Sequence, residues 1–477
     1  MTELCDLDAV ELRRLIGTKE ISPVELLGAC EARIEAINPA LNAVVALDLE
    51  RARAEAKAAE QAVRDGEELG PLHGLPIGIK DLTATAGLRT TFGSKIYENN
   101  VPAADEQIVT DIRQAGGIVI GKTNTPEFGA GGNTRNSVYG ASGNPFDPSL
   151  TCGGSSGGSA AALATGMMPL ATGSDLGGSL RTPAGFCGVV GFRPTPGTVP
   201  DEQRLVALSP LPVDGPMGRT VADAALLMSA IVDEDTRDPF ARPLDLNLFE
   251  PPLPRDLSSL RVATSEDLGA AAVEESIRAT FRARMAKIGS AFGACEARDP
   301  DLGPIDDVFE ILRGVNFIAA HKERLEKHRD ILGPNVIDNT ERGLRYTASD
   351  VAWAHVEQAK LYRRFVKMFE EIDVLICPAC SVSPFPHAEW TVKEIGGQKM
   401  DTYMRWLAIT YGITLTLHPV AVIPCGVDAR GLPFGIQIVG RYQGDAEVLS
   451  VAHSLERALA RDPETARPLP DLSKLKA

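Results

Sequence analysis

GGSSGGSAAALATGMMPLATGSDLGGSLRTPAGFCG, residues 153–188, places a Gly/Ser-rich loop on each side of an alanine-rich segment and a short apolar run. The alanine-rich segment favours a helix and the apolar run a strand. Ser155 and Ser179 are thus 24 residues apart on a loop-helix-strand-loop path, which is long enough to return to the same end of a sheet. We therefore expect both serines to lie at one site.

The segments around this stretch continue the alternation of strands and helices. Between Gly70 and about Pro200, apolar runs such as LPIGI and GIVI alternate with helical segments in a glycine-rich background, which is typical of an α/β sheet. Residues 1–69 are expected to be helical, with a capping box in SPVE at 22–25. Residues 233–260 are expected to form a proline-rich surface excursion. Further helices are predicted near 48–64, 221–232, 272–288, 305–330 and 350–370.

Lys80 is the candidate base for a serine nucleophile, because no histidine lies between His73 and His321. A lysine pKa is normally about 10.4, so a base near neutral pH needs that pKa lowered by roughly three units. Burial at the end of the apolar run 75–79 can supply this shift, since it disfavours the ammonium form. Neighbouring residues of an extended strand face opposite sides, so Asp81 is expected to point away from the site.

The run from Gly74 to Pro194, above all GGSSGGSAAALATGMMPLATGSDLGGSLRTPAGFCGVVGFRPT, closely resembles the amidase signature family of serine hydrolases. A weaker resemblance continues through VAVIPCGVDARGLPFGIQIVGR at 420–441. The resemblance implies an α/β fold with one large mixed sheet of about eleven strands between α-helices. It also implies that residues 1–477 form a single amidase domain, with 70–200 as its signature core and 300–420 as the region that builds the substrate pocket.

The resemblance assigns roles to individual residues. Ser179 is expected to attack the amide carbonyl while its proton passes through Ser155 to Lys80, and the peptide bond between Gly154 and Ser155 is expected to be cis. Besides the N–H of Ser179 itself, the residues expected to contact the substrate or the oxyanion are Gly129, Leu176, Gly177 and Gly178. Three further residues are expected to support this loop without contacting the substrate: Ser156, Asp175 and Arg181.

The predicted function is hydrolysis of a carboxamide C–N bond in a small-molecule amide, with linear amides as the favoured class and without a metal or other cofactor. The sequence leaves the amide open: aryl, aliphatic, urethane and cyclic amides all fit. Four aromatic residues could line a pocket, but core packing is the favoured interpretation for each: Phe317, Tyr403, Trp406 and Tyr411.

Three other interpretations compete with this one. GGIVIGKT at 116–123 matches a phosphate-binding loop, but its apolar residues lie between the glycines and predict a buried strand instead. GGSSG at 153–157 fits the elbow of an α/β-hydrolase esterase with Ser155 as nucleophile, which would require His418 or His453. Finally, the amidase-like subunit of a tRNA-dependent amidotransferase, which uses ATP and glutamine in a complex, belongs to the same family. Its glutamine-rich run after the nucleophile loop is poorly matched here.

Composition excludes several classes of partner. Lysine and arginine number 48 against 64 aspartates and glutamates, a net charge of −16, which argues against a nucleic-acid surface. No secretory signal is legible, and the apolar run AAALATGMMPLA is too short to cross a bilayer. The eight cysteines, including the pair in CPAC at 377–380, are expected to be buried thiols in a reducing cytoplasm. The sequence is compatible with a homodimer and does not decide the oligomeric state.

Overall fold

Strands and helices alternate along the chain of the computed structural model, which describes residues 3–245, 249 and 251–476. The strands are β1 (Val44–Leu47), β2 (Pro76–Lys80), β3 (Ile118–Thr123), β4 (Arg135–Asn136), β5 (Gly140–Ala141), β6 (Gly143–Asn144), β7 (Asp147–Thr151), β8 (Leu170–Asp175), β9 (Val190–Arg193), β10 (Val213–Gly218), β11 (Arg261–Thr264), β12 (Ala294–Ala297), β13 (Val374–Pro378), β14 (Glu394–Ile395), β15 (Gln398–Lys399), β16 (Val420–Val427) and β17 (Pro433–Val439). The helices are α1 (Ala9–Gly17), α2 (Pro23–Leu41), α3 (Leu49–Asp65), α4 (Gln107–Gln114), α5 (Gly157–Ala164), α6 (Arg181–Cys187), α7 (Val221–Ile231), α8 (Glu275–Ile288), α9 (Ile305–His328), α10 (Pro334–Gly343), α11 (Ala348–Glu371), α12 (Ala408–Thr414) and α13 (Asp445–Leu459).

One sheet organises the described part of the chain. Its eleven strands run in the order β1-β3-β2-β8-β10-β9-β16-β17-β13-β11-β12. The pairs β3–β2, β2–β8, β13–β11 and β11–β12 are parallel and the others antiparallel. The central strands are apolar and fully buried, so both faces of the sheet are covered, as parallel strands require. The predicted mixed sheet of about eleven strands is confirmed.

The N-terminal 69 residues contain the predicted helices and one strand that the sequence does not predict. Ser22 caps α2 with the reciprocal bonds of a capping box, and α3 ends at Gly66 in the left-handed conformation. The prediction of a purely helical segment is wrong at β1, which pairs antiparallel with β3 at one edge of the sheet. Only a long-range partner makes these four residues a strand, and the local pattern carries no sign of it.

The segment 116–123 contains the strand β3, Ile118–Thr123, where a phosphate-binding loop would need a wrapping turn. Ile118, Val119 and Ile120 lie in β3 and are at most 1% exposed. The neighbouring Lys122 is also buried, and its Nζ donates to Thr85 Oγ1 at 2.9 Å. The interpretation of GGIVIGKT as a buried strand is confirmed.

The second half of the chain holds the helices expected near 272–288, 305–330 and 350–370, namely α8, α9 and α11, with α10 and α12 as additions. Of the proline-rich excursion at 233–260, residues 246–248 and 250 lie outside the described residues. No helix of the described chain is long and apolar enough to cross a membrane. Nor do the described residues form a group of three His, Cys, Asp or Glu side chains placed to hold a metal ion.

Buried side chains match the prediction with one exception. All four aromatic residues expected in the core are at most 7% exposed: Phe317, Tyr403, Trp406 and Tyr411. Seven cysteines are buried free thiols, but Cys295 is exposed, contrary to the prediction. Cys295 lies on β12, an edge strand whose four residues all face solvent, so its position in the sheet and not its residue type decides its exposure.

Candidate functional site

Two parallel central strands end at residues of the candidate site. β2 ends at Lys80 and its neighbour β8 ends at Asp175. The carboxyl ends of parallel strands lie at one edge of a sheet, where sites in α/β folds are found. Ser155 lies just before the start of α5, and Ser179 lies just before the start of α6. The loops of both serines therefore open at the end of the sheet where Lys80 lies.

Lys80 Nζ lies within hydrogen-bonding distance of three hydroxyl groups. It is 2.7 Å from Ser155 Oγ, 2.8 Å from Ser156 Oγ and 2.9 Å from Ser174 Oγ. Lys80 is 1% exposed, so bulk water does not reach the amine. Ser156 thus contacts the amine directly, whereas the sequence predicts only a supporting role for it. The contact with Ser174 is an addition to the prediction.

The surrounding hydrogen bonds indicate which groups donate and which accept in this cluster. Ser156 Oγ accepts the N–H of Ser174 at 3.3 Å and can donate its own proton to the Ser174 carbonyl at 3.4 Å. A neutral amine donates two hydrogen bonds and has one lone pair that accepts. With the hydroxyls of Ser156 and Ser174 accepting from Lys80, the lone pair of Nζ is left for the O–H of Ser155. This is the orientation in which Lys80 can take a proton from Ser155.

Burial sets the protonation state of Lys80. It lowers the pKa of Lys80 from 10.5 to about 7, while the charges of Asp214 and Asp175 act in the opposite direction. Asp214 stands opposite Ser174 in the antiparallel pair of β10 and β8, and burial raises the pKa of its carboxyl group to about 8. A lysine with a pKa of about 7 supplies a substantial fraction of free amine near neutral pH.

The loops that carry Ser155 and Ser179 lie against each other. The backbone N–H of Ser156 donates to the carbonyl of Ser179 at 3.2 Å. The peptide bond between Gly154 and Ser155 is cis, as predicted. Ser155 is 2% exposed, whereas Ser179 is only partly buried. An accessible hydroxyl thus stands on the loop next to the buried hydroxyl that contacts the amine.

The carboxylate of Asp175 is held between two arginines. Asp175 Oδ2 accepts Nε of Arg181 at 3.0 Å, and Oδ1 lies 3.3 Å from Nη1 of Arg193, with all three side chains fully buried. Burial acts to raise the pKa of Asp175, but the two guanidinium groups hold that pKa well below its usual range. Arg181 also donates to the Thr410 carbonyl at 2.7 Å and to Gln437 Oε1 at 2.9 Å. The ion cluster therefore joins the end of β8 to α12 and β17.

The loop between β8 and α6 presents backbone donors beside Ser179. Among the described residues, the N–H groups of Leu176, Gly177 and Ser179 have no hydrogen-bond partner. The prediction for Gly178 is wrong, because its N–H donates to Asp175 Oδ1 at 2.8 Å and is not available to an oxyanion. Gly178 has φ +128°, a conformation that side-chain-bearing residues rarely adopt. Gly178 therefore shapes the turn, and the three other N–H groups are the free donors.

Gly129 lies directly against Ser155. A Cβ at Gly129 would be 3.4 Å from Ser155 Oγ and 3.0 Å from Leu82 Cδ1, and its φ is +70°. A Cβ there would touch the hydroxyl that contacts Lys80 and crowd Leu82, and the positive φ disfavours any residue other than glycine. The contact of Gly129 with substrate stays a prediction.

Neither of the histidines required by an esterase of the α/β-hydrolase type is bonded to Ser155 among the described residues. His418 Nδ1 bonds to the Thr416 carbonyl at 2.7 Å, and its ring packs against Phe365 and Phe369. His453 lies in α13. Ser155 Oγ has the Lys80 amine as its partner instead, so the geometry does not supply the histidine of that mechanism.

Sequence reasoning missed two residues that complete the site. Arg193 ends the apolar strand β9 as a lone charge, which is the same signal that identified Lys80 at the end of β2. That signal was available in the sequence. Ser174 lies at the end of β8, one residue before Asp175. Its contact with Lys80 depends on the register of β2 against β8, which a single sequence does not give.

Comparisons with known proteins agree on one family. The family described as Amidase matches residues 25–449. The chain is 34% identical to an acylamidase of Rhodococcus erythropolis, over 94% of this chain and 95% of that protein. It is 33% identical to a subunit of the glutamyl-tRNA(Gln) amidotransferase of a Picosynechococcus species, over 94% and 97%. The solved structure of a bacterial aryl acylamidase of the amidase signature family superposes with a TM-score of 0.89 at 27% identity, covering 96% of both chains.

Proposed function

Because the chain belongs to the amidase signature family of amidohydrolases, we propose that it cleaves a carboxamide C–N bond through an acyl-enzyme on Ser179. One observation carries the proposal. Lys80 Nζ, fully buried and with a pKa of about 7, lies 2.7 Å from Ser155 Oγ on the loop beside Ser179. A buried amine of this kind can serve as a base without a histidine.

In the first half of the reaction, Ser179 Oγ attacks the carbonyl carbon of the amide. Its proton moves to Ser155 Oγ while the proton of Ser155 moves to Lys80 Nζ, which becomes an ammonium. The carbonyl oxygen gains negative charge, which the N–H groups of Leu176, Gly177 and Ser179 can stabilise. The C–N bond then breaks, and the leaving amine receives the proton that returns from Lys80 through Ser155.

In the second half, water takes the place of the amine. It gives a proton to the same relay and attacks the ester carbonyl of the acyl-enzyme. The bond from the carbonyl carbon to Ser179 Oγ then breaks, and Ser179 regains its proton. The carboxylic acid leaves and Lys80 is again a free amine, so no metal or other cofactor is required for the balance of protons and electrons.

We also propose the kind of substrate, the oligomeric state and the location of the chain, on the basis of its family. The substrate is a linear, small-molecule amide, and the chain acts by itself or as a homodimer in the cytoplasm. The region 300–420 is proposed to form the substrate pocket because two of its side chains, Phe309 and Met404, pack against the loop of Ser179: a Cβ placed on Gly177 would lie 2.8 Å from the first and 3.3 Å from the second.

The experiment is covalent labelling combined with an activity screen. The purified chain is treated with a fluorophosphonate and assayed against a panel of amides that vary in their acyl and amine parts, without ATP or glutamine. We expect labelling and amide hydrolysis by the native chain and neither by Ser179→Ala. The matched control is Ser276→Ala, an exposed serine of α8 that should keep both. Labelling that persists in Ser179→Ala would refute Ser179 as the nucleophile.

The runner-up is an amidotransferase subunit, which the similarity to such a subunit of a Picosynechococcus species favours. A chain of that type would need glutamine, ATP and partner subunits to act on its acceptor. Hydrolysis of simple amides by the isolated chain would favour the amidase. Turnover that appears only with those additions would favour the amidotransferase.

A further inference from the structure

One face of α9 runs along the proposed site. Phe309, Arg313 and Phe317 are spaced four residues apart, so their side chains lie on the same face of the helix. Phe309 meets the loop of Ser179, because a Cβ on Gly177 would lie 2.8 Å from its Cζ. Phe317 packs in one apolar cluster with Ala130, next to Gly129. Arg313 therefore lies between the two loops that flank the reacting groups.

Arg313 is a buried cation whose partners are all neutral. It is 5% exposed, Nε donates to Asn339 Oδ1 at 3.0 Å, and Nη2 donates to Tyr403 Oη at 2.7 Å. Its guanidinium carbon lies 4.4 Å from the centre of the Phe317 ring. Throughout the described chain, no carboxylate comes within 4.0 Å of Arg313 and no partner is found for its Nη1. A buried charge of this kind is costly unless a counter-ion reaches it.

Another arginine that faces the same helix, Arg405, does have acidic partners. It contacts Asp306 and Glu310, which lie about two turns and one turn of α9 before Arg313. Further along the helix, burial lowers the pKa of His321 to about 3, and the positive charges of Arg324 and Arg313 act in the same direction. The missing counter-ion at Arg313 is thus a local feature of the stretch beside the site.

We propose that the substrate is an amide that also carries a carboxylate, and that Arg313 binds this carboxylate. The inference rests on the proposed amide hydrolysis. The fork of a guanidinium matches a carboxylate with two parallel hydrogen bonds, and Asn339 and Tyr403 hold the fork in place. One helical turn separates Phe309 from Arg313, so the carboxylate lies roughly 6 Å along α9 from the loop of Ser179.

Two kinds of compound place a carboxylate at that distance. In a monoamide of a dicarboxylic acid the carboxylate lies on the acyl part, and in an N-acyl amino acid or N-acyl aminobenzoate it lies on the amine part. Each is compared with a neutral partner of similar shape. The acyl arm uses the 4-nitroanilides of succinic and butyric acid, and the amine arm uses 4-acetamidobenzoate and acetanilide.

The readout is the ratio of kcat/KM for the acidic to the neutral member of each pair. We expect the native chain to prefer the acidic member by about 10- to 100-fold in one arm, which is the range of a charged hydrogen bond. Arg313→Met should remove the preference, and Arg313→Lys should keep part of it. The matched control is Lys327→Met, an exposed cation of the same helix that should leave the ratio unchanged. Equal rates within both pairs for the native chain, or an unchanged ratio in Arg313→Met, would overturn the proposal.

A second measurement separates this inference from the proposed function. Calorimetry with the Ser179→Ala chain compares binding of the acidic and neutral amides without any turnover. Tighter binding of the acidic member that is reduced in the double variant Ser179→Ala/Arg313→Lys supports the carboxylate site even if the native chain hydrolyses nothing. Equal binding of both members refutes it even if amides are hydrolysed. Should Arg313→Met fail to fold, as judged by thermal melting, the Lys variant carries both tests.

Discussion

The carboxylate of Asp175 accepts the backbone N–H of Gly178 at 2.8 Å and that of Leu180 at 3.1 Å, while it is also paired with Arg181 and Arg193. The loop is therefore bonded to one buried carboxylate on both sides of Ser179. Its shape depends on an ion cluster that bulk solvent does not reach. This gives the first prediction.

Asp175→Asn should destabilise the chain by about 3–5 kcal/mol, because it leaves two buried guanidinium groups without a counter-ion. The loop of Ser179 should also loosen, with loss of amide hydrolysis. Urea unfolding measures the first effect. Glu11→Gln, which breaks an exposed pair with Arg14, is the control and should leave the stability nearly unchanged, because water screens this pair. A loss of stability below about 1 kcal/mol in Asp175→Asn would contradict this account of the cluster.

The acid limb of kcat/KM should have an apparent pKa near 7. The pKa of Lys80 is lowered from 10.5 to about 7 in the folded chain, and the amine must be neutral to act as a base. Activity should therefore rise with pH through about 7 and fall by about tenfold per pH unit well below it. The profile is measured with an uncharged amide, and intrinsic fluorescence at each pH checks that the chain stays folded. A profile that is flat between about pH 5 and 8, or one centred near 10, would rule out Lys80 as the base.

Ser174→Ala should move that acid limb to lower pH. The hydroxyl of Ser174 accepts from Lys80 Nζ at 2.9 Å, and such an acceptor favours the ammonium form. Its removal should lower the pKa of Lys80 further, while kcat falls by no more than about tenfold because the contact to Ser155 remains. The pH profile of the variant is compared with that of Ser276→Ala. A limb displaced to higher pH would mean that the hydroxyl does not stabilise the charged amine.

Gly178→Ala should disturb the nucleophile loop. A Cβ there would lie 2.3 Å from Thr410 Oγ1, on a backbone with φ +128°. We expect a loss of stability of about 1–3 kcal/mol and a fall in kcat of about 100-fold, since small displacements of reacting groups are costly. Thermal melting and steady-state kinetics provide the two measurements.

Gly28→Ala is the matched control for this substitution. Gly28 lies inside α2 with open space where a Cβ would stand, so alanine should raise stability by about 0.5–1 kcal/mol. If Gly178→Ala behaves like Gly28→Ala, the tight turn is not needed by the loop.

Short-range patterns in the sequence predict the α/β class and bring Lys80 together with the two serine loops, whereas the eleven-strand sheet and the roles of Ser155 and Ser179 are implied only by the family resemblance. Apolar strands that end in Lys80 and in Asp175, each followed by a polar loop, are visible without a structure. Relations set by pairing are not visible: Ser174 reaches Lys80 through the register of β2 and β8. The N–H of Gly178 escapes prediction because a glycine-rich loop shows which turns are permitted, and not which donors are already in use.

The proposed reacting groups near Lys80 and the proposed carboxylate-binding residue Arg313 come from separate parts of the chain. Lys80, Ser155, Ser174 and Ser179 all belong to residues 80–179, whereas Arg313 lies on the crossover between β12 and β13. Replacing that crossover with the one from a homologue would therefore change the residues proposed to select the substrate. The reacting groups would stay the same. Directed evolution aimed at new amides should begin with α9 and α10 and leave the segment from β2 to α6 alone.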